Sequence, residues 1–145
     1  MAPEAEGVVV AAGGVAADDV VLAPIHQFVD GLNKGDMKAA AAAHVAAPAI
    51  LDDVPPHSWH GDGAFDKWAA ADAAEMQQDG ITAPKIAIKK PTRLQQEGDA
   101  AYVVVPTVYS FKLKGKPVAE NGFLTFALAH EGTDWHIAAW AWTRH

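Results

Sequence analysis

The stretch AAYVVVPTVYSFKL, residues 100–113, carries apolar side chains on both faces of a predicted β-strand. Side chains alternate between the two faces of a strand, so every second residue shares a face. One face holds Ala101, Val103, Val105, Thr107, Tyr109 and Phe111, and the other holds Tyr102, Val104 and Val108. Helices that cover one side of an antiparallel sheet leave the other side open. The second apolar face therefore needs its own cover, and we expect a homodimer through the outer face of the sheet.

Three further runs rich in β-branched and aromatic residues predict strands that neighbour this one. They are KIAIKKPTRLQQ (85–96), VAENGFLTFALAH (118–130) and WHIAAWAWT (135–143), and the turn signals EGD, KGKP and EGTD separate the four runs. Turns this short connect antiparallel neighbours. Pro91 and Pro106 cannot donate ladder hydrogen bonds, so each is expected at an edge or at a bulge that bends the sheet.

The segment before this meander predicts three helices. The first is indicated by apolar residues at helical spacing, namely Val21, Ile25, Phe28 and Leu32. It starts either near Pro24, where a missing N–H costs nothing, or with a less regular first turn. Gly35 is expected to cap its C-terminus, and Asp36 to begin the next helix as the N-cap residue.

The second and third helices flank a short strand. The second is rich in alanine, ends at Pro48, and has one stripe made of Met37, Ala40, Ala41, His44 and Val45. AILDD (49–53) is typical of a short strand that delivers two acids to its end. Asp62 is expected to cap a third helix that runs to about Gly80, with a buried stripe of Phe65, Trp68, Ala69 and Met76. The predicted fold is α+β, with three N-terminal helices packed on a strongly curved antiparallel sheet of one short strand and a four-strand meander.

Length and charge narrow the class of protein. The 145 residues fit one domain, expected over residues 20–145 behind a flexible arm of residues 1–19. A formal net charge of −7 argues against a nucleic acid or an anionic membrane as partner. The apolar run VVVAAGGVAA (8–17) is broken by glycines and lacks a positive flank, so neither a signal peptide nor a membrane span is predicted. The absence of cysteines does not fix the compartment, so the cytoplasm is expected only by default, and a processed periplasmic or secreted chain fits the same sequence.

The stretch LDDVPPHSWHGDGAFDKW, residues 51–68, is the densest group of candidate catalytic side chains. Asp52 and Asp53 are adjacent, so on a continuing strand only one of them points inward. A carboxylate buried in an apolar site has a raised pKa and can act as a general base beside a carbonyl group. The alternative is that both acids cap the VPPH turn through local hydrogen bonds. His57 and His60 offer proton transfer, loop hydrogen bonds or, together with Asp52 or Asp53, ligands for a divalent metal, although the H-x-x-H spacing is not specific for a metal site.

Aromatic residues supply the candidate ligand contacts. Aromatic walls suit a flat hydrophobic ligand, although aromatic residues are also ordinary core material. Tyr109 is the best hydroxyl donor, because its face of the strand is otherwise apolar and its hydroxyl needs a partner. Trp140 and Trp142 share a strand face and, without a bulge, face away from Trp135 and Ile137. The candidate ligand-binding residues are Phe28, Trp59, Trp68, Tyr109, Asn121, Trp140 and Trp142.

The LNKGD link (32–36), the acids after a short strand and the closing G-x-D-W-H-I motif (132–137) occur in an order that is similar to a known family. The chain resembles the NTF2-like superfamily, and more narrowly its SnoaL-like branch, which includes polyketide cyclases and relatives of ketosteroid isomerase. The resemblance implies a cone in which helices and a curved sheet enclose one deep, largely apolar pocket. Family members use this pocket for isomerisation, cyclisation, dehydration or epoxide opening. The base of the ketosteroid-isomerase-like members corresponds here to Asp52 or Asp53.

From the residues and the resemblance together, we expect a protein that binds a small hydrophobic molecule and catalyses proton transfer on a carbonyl compound, as an isomerase, cyclase or dehydratase does. Tyr109 and Asn121 are expected to donate to the charge that develops on oxygen. No organic or metal cofactor is expected. The alternative is a non-catalytic ligand-binding domain or a dimeric interaction domain. We expect Asp52 or Asp53 to be the base and His57 or His60 to assist it, so these four residues are the catalytic candidates.

Overall fold

The computed structural model describes residues 17–145, which form three helices and seven strands. The helices are α1 (Ala17–Lys34), α2 (Met37–Ala42) and α3 (Ala64–Asp79). The strands are β1 (His44–Leu51), β2 (Ser58–His60), β3 (Ile81–Ile88), β4 (Arg93–Glu97), β5 (Ala100–Leu113), β6 (Lys116–Glu131) and β7 (Asp134–Arg144). The expected N-terminal arm of residues 1–19 falls outside the described residues except for residues 17–19, which begin α1. No helix of the described chain is long and apolar enough to cross a membrane.

The strands form one sheet in the order β2-β1-β7-β6-β5-β3, and β4 pairs with β5 beyond the end of β3. Neighbouring strands are antiparallel except β1 and β7, which run parallel. The predicted α+β class with a curved sheet is confirmed. Strands β5, β6 and β7 coincide with predicted runs, whereas the run of residues 85–96 divides into β3 and β4, and β2 was not predicted.

Pro106 explains why the predicted run of residues 85–96 divides. Its carbonyl accepts a hydrogen bond from the N–H of Lys89 at 2.9 Å, and the N–H of Thr92 bonds Val104 next to it. The nitrogen of Pro106 has no hydrogen to donate, and it lies opposite residues 89–92, where β3 has ended and β4 has not begun. Pro91 lies in that same connection, so neither proline interrupts a continuous ladder.

A β-bulge at Ala138 sets the direction of the tryptophans on β7. Ile137 pairs with Leu128 and Ala139 pairs with Ala127, so Ala138 has no partner on β6. One extra residue shifts the alternation by one position. Trp140 therefore shares the inner face of the sheet with Ile137, which is the exception that the sequence analysis allowed for a bulge.

The helix boundaries differ from the prediction in three places. α2 ends at Ala42. His44 and Val45, which were expected on its stripe, begin β1, and His44 pairs with Ile137 of β7. α1 begins at Ala17, so Pro24 lies inside it rather than at its start. The expected cap Asp62 is wrong, because Gly63 occupies the N-cap of α3 in a left-handed conformation and makes no side-chain cap bond.

The cap predictions around α2 are confirmed. Gly35 has a φ of 75°, the left-handed conformation that ends many helices, and its N–H bonds the carbonyl of Leu32. The Asp36 side chain accepts a hydrogen bond from the N–H of Ala39 at the start of α2. The sharp turn between α1 and α2 therefore follows from two adjacent residues.

Phe28 of α1 lies at the centre of the core on the inner face of the sheet. It is 1% exposed. Its ring contacts the side chains of both helix and sheet, namely His44, Phe65, Trp68, Phe126 and Trp140, at centroid distances of 5.0 to 6.5 Å. Edge-on and tilted aromatic pairs of this kind add to the free energy of burial. α1 is thereby fixed across the inner face.

Asn33 ties the last turn of α1 to the edge strand β3. Its Nδ2 donates to the carbonyl of Ile86 and its Oδ1 accepts from the N–H of Ile86, both at 2.8 Å. The side-chain amide thus satisfies backbone groups that an edge strand otherwise leaves open. This pair of bonds holds β3 against α1.

Replacing Asn33 with alanine is expected to lower the free energy of unfolding by about 1–2 kcal/mol, because the two hydrogen bonds between the Asn33 side chain and the backbone of Ile86 are lost. Urea denaturation followed by circular dichroism measures the change. Asn121→Ala is the matched control, since the exposed Asn121 side chain makes no hydrogen bond to residues 17–145. Equal stability of the two variants would show that the Asn33 amide does not hold β3.

Candidate active site

A cavity of about 1120 Å³ lies between the inner face of the sheet, α1 and α3. Its walls are largely apolar, and aromatic rings from two helices and two strands form much of them. The aromatic lining residues are Phe28, Trp68, Tyr109, Phe111, Trp140 and Trp142. A concave apolar space of this size fits an organic molecule rather than a few waters.

Asp52 enters the cavity from the end of β1. Its Oδ2 accepts a hydrogen bond of 2.7 Å from Nε1 of Trp68, and its Oδ1 accepts one of 2.7 Å from the N–H of Asp53. Burial raises the pKa of this carboxyl, and the two hydrogen bonds oppose that rise because they favour the charged form. The Trp68 bond also fixes the direction of the carboxyl group.

Asp53 lies at the rim of the cavity and is exposed. Its Oδ2 is 3.9 Å from Nη2 of Arg144, whose Nη1 donates to Oε2 of Glu120 at 2.9 Å. Of the two adjacent acids, Asp52 is therefore the one within the apolar part of the cavity. Asp53 belongs to an exposed ion-pair group at the rim.

His57 and His60 do not line the cavity. Both are exposed, and the ring Nδ1 of His57 lies 3.1 Å from the backbone carbonyl of Asp52 rather than from its carboxyl group. His60 lies on β2 at the edge of the sheet. Within residues 17–145, no three potential ligands are grouped so that they could hold a metal ion.

Two of the predicted ligand contacts also lie away from the cavity. Trp59 is buried in the core beside Ile50, its partner in the β1–β2 pairing, and does not reach the cavity wall. Asn121 pairs with Val108 on the outer face of the sheet and is exposed. The other five, Phe28, Trp68, Tyr109, Trp140 and Trp142, line the cavity.

Asp72 is a cavity residue that the sequence analysis missed. It follows Trp68 by one helical turn on α3, and no residue in the described chain hydrogen-bonds its side chain. Burial raises its pKa to about 6, and the nearby carboxylates of Asp52 and Glu75 add to the effect. The signal was available, because the predicted buried stripe at Trp68 and Met76 has Asp72 midway between them.

Tyr109 projects from β5 into the same space, beside Phe111 and Trp142. Its hydroxyl makes no hydrogen bond within the described part of the chain. Burial raises the pKa of the phenol, and the carboxylates of Asp72, Glu120, Asp52 and Glu75 raise it further. The hydroxyl therefore stays protonated at all ordinary pH values and is free to donate to a ligand.

His44 supports the cavity wall from behind. Nε1 of Trp140 donates to Nε2 of His44 at 3.1 Å, so the ring proton of the neutral histidine lies on Nδ1, which donates to the carbonyl of Ala40 at 2.9 Å. Burial lowers the pKa of His44 to about 4, so it is neutral at pH 7. Trp140 in turn contacts Trp68 edge-on at 5.0 Å. The orientation of Asp52 therefore rests on a chain of contacts that begins at His44.

The cavity lining is strongly acidic. Among the lining residues, Arg144 is the only cation within the described part of the chain. The lining acids are Asp52, Asp53, Asp72, Glu75, Asp79 and Glu120. Burial raises the pKa of Glu75, and Asp79, Asp53 and Asp52 raise it further. The lining carboxylates therefore raise one another's pKa values by charge repulsion.

Comparison with known proteins identifies the fold. No protein-family model matches the chain, and no curated protein matches it. Among solved structures, a ketosteroid isomerase-like protein from Erwinia carotovora atroseptica superposes with a TM-score of 0.65 at 18% identity, over 86% of this chain and 93% of that one. An NTF2-like protein with a cystatin-like fold from Novosphingobium aromaticivorans gives a TM-score of 0.67 at 15% identity, over 86% and 79% of the two chains. A putative scytalone dehydratase from the same organism gives 0.69 at 9% identity, over 88% and 83%.

These structures define the class to which the fold belongs. The chain has the NTF2-like fold, and the predicted resemblance to the NTF2-like superfamily is confirmed at the level of fold. The narrower SnoaL-like resemblance stays a prediction. A shared fold of this kind hosts different reactions and does not by itself assign one.

Asp72→Asn is expected to raise the free energy of unfolding at pH 7 by about 2 kcal/mol. The folded protein holds the pKa of Asp72 at about 6, above the ordinary value of 3.8. A carboxyl with a raised pKa stabilises the fold below the unfolded value, and that stability is lost as the pH rises through the folded value. The gain from asparagine should therefore shrink between pH 7 and pH 4.

Urea unfolding at a series of pH values measures this gain. Asp66→Asn is the control, since Asp66 lies exposed on the same helix and outside the cavity lining. A variant Asp72→Asn that is no more stable than the native protein at pH 7 would contradict the assigned burial of this carboxyl.

Proposed function

We propose that the protein binds a small hydrophobic molecule in the cavity and catalyses proton transfer on a carbonyl compound, in a reaction of the isomerase, cyclase or dehydratase type. The observation that carries the proposal is that two half-buried carboxyls with raised pKa, Asp52 and Asp72, and the unpartnered hydroxyl of Tyr109 line one apolar cavity. Groups with perturbed pKa values that converge in a cleft are typical of catalytic sites.

Asp72 is the leading general base. A base acts best when its pKa lies near the working pH, and a pKa of about 6 leaves Asp72 mostly ionised and still basic at pH 7. Its carboxylate has no protein partner to displace before it accepts a proton. Tyr109 supplies the hydrogen bond to the carbonyl oxygen, on which negative charge develops as the neighbouring carbon loses its proton.

Asp52 remains the second carboxyl of the proposed mechanism. It takes the place that the family resemblance gives to the base, and its hydrogen bond to Trp68 holds it in one direction. During an isomerisation the carboxyl that removes a proton can return it at another carbon, so Asp52, on a different element, is an alternative base to Asp72. His57, His60 and Asn121 have no part in this arrangement because they do not line the cavity.

The proton-transfer activity can be tested without knowing the natural substrate. β-Tetralone is a hydrophobic ketone with acidic hydrogens next to its carbonyl, and their exchange for deuterium in heavy water is followed by proton NMR. The protein is expected to accelerate this exchange above the rate in buffer. Asp72→Asn should lower the accelerated rate by about 100-fold, since one positioned base contributes on that order.

Tyr109→Phe and Asp52→Asn extend the test, and Asp66→Asn is the control with native exchange. Loss of the hydroxyl should reduce exchange by about 10-fold or more. Binding of the ketone, measured by calorimetry, without any acceleration would instead support the alternative of a non-catalytic ligand-binding protein. Exchange that is unchanged in both Asp52→Asn and Asp72→Asn would overturn the assigned roles.

We also propose that two copies of the chain associate through the outer face of the sheet. On β5 this face carries Tyr102, which is 47% exposed, together with Val104 and Val108. The facing positions of β6 and β7 are Phe123, Thr125, Ala127, Ala139 and Ala141. This central surface has no charged side chain, which is uncommon for a face left to water. A second copy would cover it with an identical surface, as twofold symmetry requires.

Ala127→Glu is expected to convert the dimer into a monomer, because it places a charge at the centre of the apolar face. Light scattering coupled to gel filtration gives the mass. Ala74→Glu, at an exposed position of α3, is the control that keeps the dimer. A native protein that is monomeric at concentrations near 100 µM would contradict the proposal, since interfaces of ordinary size hold at about micromolar concentrations.

A further inference from the structure

The cavity combines apolar walls with an excess of negative charge. Six carboxyl groups line it, those of Asp52, Asp53, Asp72, Glu75, Asp79 and Glu120. The single lining cation, Arg144, is already paired with Glu120 at 2.9 Å and lies 3.9 Å from Asp53. The acids nearer the aromatic walls, Asp72 above all, have no cationic partner in the described chain.

This charge distribution favours a cationic ligand over an anionic or a neutral one. An anion would face repulsion from several carboxylates, most strongly beside the half-buried Asp52 and Asp72. A neutral ligand would leave those carboxylates uncompensated and remove the water that solvates them. A ligand that brings a positive charge compensates them directly.

The charge must come from an organic group. Within residues 17–145, no three potential ligands are grouped so as to hold a metal ion, so the acids are spread around the cavity and do not form a cation cage. Tryptophan and tyrosine rings form part of the cavity walls, and the faces of such rings attract ammonium groups. Trp68, Trp142 and Tyr109 all line the cavity along with Asp72.

We propose that the natural ligand is a hydrophobic molecule that carries a protonated amine, with its ammonium group held by Asp72 and Glu75 beside the aromatic rings and its apolar body against the core side of the cavity. This inference deepens the proposed function and rests on its ligand-binding half. In such a complex Asp72 is paired with the ammonium group and Asp52 is the carboxylate left to act as the base, whereas a neutral ketone such as β-tetralone leaves Asp72 free for that role.

Three probes with the same body and different charge test the proposal. They are naphthylmethylamine, naphthylmethanol and naphthoate, substituted on the same ring carbon, and calorimetry at pH 7.5 measures their affinities for the full chain. The amine is expected to bind about tenfold more tightly than the alcohol, which corresponds to one charge contact in a partly shielded site, and the carboxylate more weakly than both. The preference for the amine should shrink as salt is raised from about 0.05 to about 0.5 M, because salt screens charge contacts and not apolar ones.

Two variants locate the contact. Asp72→Asn and Glu75→Gln are expected to reduce the affinity for the amine several-fold while leaving that for the alcohol unchanged, and Asp66→Asn should change neither. The alcohol serves as a check on folding, because a variant that still binds it has an intact cavity.

The outcomes separate this inference from the proposed function. If the alcohol binds as tightly as the amine, the inference is overturned and the binding of hydrophobic molecules stands. If none of the three binds at millimolar concentration, both fail. If the amine is preferred but β-tetralone exchange is absent, the cationic ligand stands and the catalytic half of the proposed function falls.

Discussion

The extra residue at Ala138 in β7 is the constraint on which the candidate site depends. With strict alternation after Ile137, Trp140 would lie on the opposite face of the strand from Ile137 and would point away from the core. The bulge returns Trp140 to the inner face, where it can bond His44 and contact Trp68. Trp68 then has a fixed position from which to bond Asp52. One irregularity in pairing thus connects the sheet to the geometry of a carboxyl group on another element.

The cavity is retained at a cost in stability. A domain of this size could fill the space with apolar side chains, yet the space holds half-buried carboxyls, and burial raises the pKa of each because it disfavours the charged form. Asp52 is partly compensated by the N–H of Trp68, whereas Asp72 has no such partner. Buried groups that lower the stability of a fold in this way are typical of functional sites.

Much of the fold could be predicted because local chemistry determined it. Alternation gave the limits of β5, and Gly35 and Asp36 placed the turn between the first two helices. Other features depend on partners distant in sequence, which periodicity does not report. His44 follows an alanine-rich helix and looked helical, but pairing with β7 makes it the first residue of a strand. Asp72 is not predicted as a site residue because a polar residue within a buried stripe normally indicates that the stripe is interrupted there. Its position on the stripe is nevertheless what places it in the cavity.

The parallel pairing of β1 with β7 has a consequence for the order in which the molecule forms. The other large pairings join strands that are close in the chain, but the bond from Trp140 to His44 spans 96 residues. Closing so long a loop costs conformational entropy, and contacts of this kind therefore form late in folding. The meander of β5, β6 and β7 can therefore form while β1 and β2, together with Asp52 and Asp53 after β1, have not yet joined the sheet. The cavity would be the last region to close and, on partial unfolding, the first to open.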